Sequence, residues 1–67
     1  MRVILQDRKS LLYLKGVNQW TPSIQEASDF QRIIKAFDFA SESKLSSIDV
    51  LMCFGDPKYD VRLRVTN

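Results

Sequence analysis

The chain has 67 residues, about half of the commonest domain size, and is read as one domain over residues 1–67. Its 45% apolar and 27% charged residues, with two glycines and two prolines, exclude disorder and low complexity. With no histidine and one cysteine, Cys53, it has no internal disulfide, no structural zinc site and no Cys/His nucleophile, and its net charge of +2 is a mild excess for a nucleic-acid binder.

Two short apolar runs, Arg2 to Gln6 and Leu11 to Leu14, flank the polar stretch Asp7, Arg8, Lys9, Ser10 and predict a β-hairpin, with Asp7 where a turn favours an aspartate. Gly16 and Asn18, the residue types that most easily take positive φ, end the second strand. From Trp20 to Ala27 helix-start signals are dense: Thr21 before Pro22, and Ser23 three residues ahead of Glu26. One of them starts a short helical turn. A second start at Ser28 to Gln31 predicts the main helix from about Phe30 to Ser43.

At about 100° per residue, Phe30, Ile33, Ile34, Phe37 and Ala40 share one arc, with Ala36 at its margin and Ile24 well outside it. That mismatch predicts a break near Ser28. Phe39 lies about 180° from Phe30 and is expected to be exposed. Lys44 sits where a cation favours the helix C-terminus. A third strand runs from Ile48 to Phe54, the cluster Gly55 to Lys58 is a turn, and a fourth strand alternates cleanly from Tyr59 to Val65. The whole reads ββαββ. It is an α+β fold in which one main helix packs on one face of a four-stranded, mainly antiparallel sheet, with the strand order left open.

Both sheet faces carry apolar residues, because Leu51 and Cys53 oppose Ile48, Val50 and Met52, and Ile4 opposes Val3 and Leu5. One helix covers one face. The other face, around Ile4, Leu12, Leu51 and Cys53, is then expected to be a contact surface for a second copy or another protein, with Phe39 as a further contact. The competing reading is that the segment around Trp20 folds under the sheet and covers it. Trp20 itself is read as a plug at the end of the core, with ligand stacking as the alternative.

No constellation carries catalysis. Asp38 and Glu42 share a helix face four residues apart, yet with Lys35 beside them they read as a solvated face, and the isolated Gly16 and Gly55 cannot form a phosphate loop. No enzyme activity, cofactor or metal is expected. A basic patch from Arg2, Lys9, Arg62 and Arg64, joined by Arg8 and Lys15 if the first and last strands were neighbours, is the alternative reading as a nucleic-acid site. Charged residues on exposed strands also deter edge pairing, and that explanation is favoured. The opening residues hold only three consecutive apolar positions, Val3 to Leu5, too few for a signal core or a membrane span, so the chain is read as cytoplasmic.

The series Tyr13-Leu14, Trp20-Thr21, Ala27, Asp29-Phe30, Ala36 and Phe39-Ala40 with the closing strand resembles a layout found in small bacterial proteins of unknown function, over residues 3–54. The resemblance implies the fold and a bacterial source. It transfers no catalytic or binding motif. The residues themselves, apart from the resemblance, lead to the expectation of a small non-catalytic interaction or accessory protein, a homodimer by default.

Overall fold

In the computed structural model, which describes residues 1–65, the chain runs β1 (Arg2–Asp7), β2 (Tyr13–Gly16), β3 (Gln19–Thr21), a 3-10 turn (Ile24–Glu26), α1 (Ile33–Glu42), β4 (Ile48–Cys53), a second 3-10 turn (Pro57–Tyr59) and β5 (Val61–Val65). One sheet of order β3-β2-β1-β4-β5 holds all five strands, each antiparallel to its neighbours. The architecture is α+β. The sheet has one strand more than the expected four.

The extra strand is β3, and its cause is local. Asn18 takes a φ of 56°, so the chain reverses within two residues after Gly16 instead of leaving the sheet, and Gln19 to Thr21 pair back on β2. Thr21, read as a helix cap, closes that strand, and its hydroxyl accepts from the Ser23 N–H at 3.1 Å to start the descent into the 3-10 turn. The first hairpin is also longer than expected. Asp7 accepts from the Lys9 N–H and the Ser10 hydroxyl, Leu11 adopts a φ of 64°, and β2 therefore starts at Tyr13 rather than Leu11.

The break near Ser28 is present and wider than expected. Asp29, instead of capping a helix, accepts from the Val3 and Gln31 N–H groups, while the Phe30 N–H donates to the Val3 carbonyl. These bonds hold residues 29–30 along β1. The helix starts only at Ile33, and its C-terminus closes in a Schellman motif around Lys44 at φ 54°, with Leu45 N–H to the Ala40 carbonyl and Lys44 N–H to the Ser41 carbonyl.

The helix also faces the sheet differently from expectation. Ala36 and Ala40, fully buried, form the centre of its contact with β1 and β4, so the backbone sits close to the strands. Ile34, placed in the stripe by its spacing from Phe30, points away and is exposed. The physical reason is that Phe30 lies outside the helix. For the same reason Phe39 is not exposed: it packs half-buried against the core, its ring 5.3 Å from that of Phe30 and tilted 50°.

The core has two layers. On the helix side Val3, Leu5, Leu14, Ile48, Val50 and Val65 meet α1, and Trp20, Phe39 and Leu45 close the β2–β3 end. On the opposite side Ile4 and Leu51 are buried under Ile24 and Ala27, with Tyr13 and Cys53 alongside. The face expected to be open is therefore covered by the chain itself. The segment after Trp20 does the covering, while Trp20 stays on the helix side.

Candidate interaction surface

Arg2 explains how the covering segment is held. Its guanidinium lies on the same side of the sheet as Ile4, and Nη2 donates to the carbonyls of Ile24 and Ala27, each at 3.0 Å. Ser28 completes the attachment with its N–H to the Leu14 carbonyl at 2.9 Å and its hydroxyl to the Lys15 carbonyl. Two carbonyls of an irregular segment thus receive a charged donor, which is worth more than a neutral one. Ile4 and Leu51, expected to face a partner, line this internal layer instead, with Cys53 beside them. Leu12 and Phe39, the other two expected contacts, lie apart from that cluster, half-buried, with Phe39 on the opposite side of the sheet.

Next to the covered area the same face turns polar. Asp49, buried in the central part of the sheet, accepts from Arg8 Nη1 at 2.9 Å and from Arg62 Nη1 at 3.0 Å, and Arg62 also donates to Gln6 Oε1 at 2.7 Å. Burial alone would push the Asp49 carboxyl up. The hydrogen bonds and charges of Arg8 and Arg62 outweigh it and hold the group below the usual carboxylate range. Arg8 further donates to the Ile48 carbonyl, closing the first hairpin against β4.

This network divides the expected basic patch. The first and last strands are separated by β4, Arg2 is engaged under the covering segment, and Arg62 is engaged on Asp49. Arg2 lies beside Cys53 at one end of β1, and Lys9 lies beyond Asp7 at the other. Arg62 and Arg64 remain neighbours on one face of β5, and Arg8 meets Arg62 through Asp49.

Cys53 is half-buried, and burial, helped by the nearby Asp60 carboxylate, pushes its thiol up, so it is a poor nucleophile near neutral pH. Among the described residues no group of three or more Cys, Asp or Glu side chains is placed to hold a metal ion. No described helix is long and apolar enough to cross a membrane.

One surface was not foreseen. The helix lies over β1 and β4 and leaves β5 at the margin, so Val61, whose register partner is Met52 on the helix side, stays 40% exposed. Beside it Phe54 is 50% and Tyr59 61% exposed, with the Lys58 ammonium 5.0 Å from the Tyr59 ring. The Phe54 N–H donates to Asp60 Oδ1, which holds Phe54 beside the Tyr59–Val61 segment, and Val3, Met52 and Val61 form one row across the sheet.

A comparison with known proteins finds no matching family model, curated protein or solved structure.

The signal for the missed surface was geometric. Five strands about 4.8 Å apart span about 19 Å, and one helix is about 10–12 Å across with its side chains. An uncovered margin follows from that ratio.

Proposed function

We propose that the chain is a small non-catalytic protein-interaction module whose contact surface is the apolar corner beside β5. The observation that carries this reading is the shared exposure of Phe54, Tyr59 and Val61 at one corner, where the helix stops short of the edge strand. Contiguous exposed apolar side chains mark contact sites more often than idle surface. Self-association through Ile4 and Leu51 loses its motive, since both are covered within the chain. Nucleic-acid binding through Arg2, Lys9, Arg62 and Arg64 is less favoured, because two of these four cations already serve internal contacts.

The test is selection from a displayed random-peptide library on the purified chain and, in parallel, on Val61→Asp. Val61 is partly exposed, so the variant is expected to keep the parent's circular dichroism. Peptides enriched on the parent and lost on the folded variant are the expected result. Enrichment that is equal on both, or absent from both, overturns the proposal.

A further inference from the structure

The edge strand that borders this corner carries a more specific reading, which rests on the interaction proposal above. We infer that the occupant is an extended segment of a partner protein that adds to β5 as a sixth strand and alternates apolar with acidic residues. β5 is one margin of the sheet, and its five residues pair with β4 in unbroken register, from Ile48 with Val65 to Met52 with Val61. It contains no proline and no bulge, so its outer row of N–H and C=O groups is a regular template for strand addition. The other margin, β3, has three residues, and its pairing with β2 shifts register between Leu14 and Gly16. It is the poorer template.

The side chains of β5 then choose the partner. Val61 and Leu63 point to the helix side, while Arg62 and Arg64 point to the other. An added strand places its own side chains with the same alternation, so one set meets the apolar corner and the other meets the two arginines. A second copy of β5 fits badly. In an antiparallel pair centred on Leu63, Arg62 of one copy stands opposite Arg64 of the other, and like charges in that position are destabilising.

Acidic residues relieve this conflict. Arg62 reaches inward over β4 to Asp49 and Gln6, so the cation left to meet an incoming carboxylate is Arg64, exposed on the same face. The two arginines thus oppose self-pairing, and Arg64 selects an acidic strand.

The experiment uses the full chain labelled with nitrogen-15 and titrated at low salt with a capped eight-residue peptide of alternating valine and glutamate. Amide shifts confined to residues 54–65 are expected, with at least tenfold weaker binding for the valine–lysine counterpart and reversal of that preference in Arg64→Glu. N-methylation of the four central residues of the peptide should abolish binding, because it removes main-chain donors and blocks approach. Binding that survives N-methylation but is lost in Val61→Asp overturns strand addition and leaves the interaction proposal standing. Equal affinity for the glutamate and lysine peptides overturns the acidic assignment. Absence of shifts at β5 with every peptide overturns strand addition outright, and the library selection then judges the broader reading on its own.

Discussion

A buried carboxylate on a central strand survives only with partners, and Asp49 shows how few are needed. Arg8 and Arg62 each supply one charged donor, from the first hairpin and from the last strand, so one side chain ties three strands together. Asp49→Asn keeps the shape but loses the charge that both arginines face. It is expected to cost about 1–3 kcal/mol in denaturant unfolding, at the low end if solvent takes over the half-exposed Arg62.

Asp7, Asp29 and Asp49 all have carboxyls held below their ordinary range: Asp7 chiefly by the Ser10 hydroxyl, Asp29 by the Val3 and Gln31 N–H groups, Asp49 by its arginines against the cost of burial. A carboxyl whose folded pKa is lowered stabilises the fold above its unfolded value, about 3.9, and loses that contribution as pH falls through the folded value. Stability is therefore expected to be flat at mildly acidic pH and to decline below about pH 4 in a pH-dependent melting series. Cys53 has the opposite sign: its raised folded pKa gives stability that fades as pH rises above the thiol's ordinary value, about 8.5. The residue types in this network were plain in the sequence. Their meeting was not, since Arg8 and Asp49 are 41 positions apart and only the β1–β4 pairing brings them together.

At the scale of elements, the places where expectation and structure part share one cause: a local signal was used for a tertiary task. Asp29 has the chemistry of a helix cap and spends it on β1, which delays the helix by a turn and rotates its apolar stripe. Asn18 has the chemistry of a chain exit and makes a hairpin instead. Strands β4 and β5, whose alternation is strong, were legible to within two residues, and so was the end of the helix. That end also carries a prediction. Lys44 holds a left-handed conformation that glycine adopts without penalty, so Lys44→Gly is expected to stabilise the chain by about 0.5–1 kcal/mol, read as a higher melting temperature. Arg2→Ala should act in the opposite direction on the covering segment. The Ser28 amide, bonded to the Leu14 carbonyl, is expected to exchange with solvent faster in that variant than the amides of β4.

For the molecule as a whole, a 67-residue chain with stability of about 0.05–0.15 kcal/mol per residue has little to lose. The covered face makes Leu51 part of that margin. Leu51→Asp, which on an open face would have given a soluble monomer, is now expected to unfold the chain by placing a charge under Ile24 and Ala27, seen as loss of cooperative melting. The apolar count on both faces was readable from the sequence, and it correctly required a second cover. What lay beyond it was the origin of that cover, because the six residues of mixed polarity between Thr21 and Ser28 look like a connector until Arg2 is seen to hold them.

The strand order has a consequence in time. β1 occupies the middle of the sheet, yet its pairing with β4 joins residue 2 to residue 53 and residue 7 to residue 48. At ribosomal speeds of about 5–20 residues per second, the central strand waits about 2–10 s for its main neighbour to be synthesised. Until then the nascent chain offers Val3, Ile4 and Leu5, all fully buried in the finished sheet, to whatever it meets. Assembly is postponed to the last strands, and the centre of the sheet closes late in synthesis.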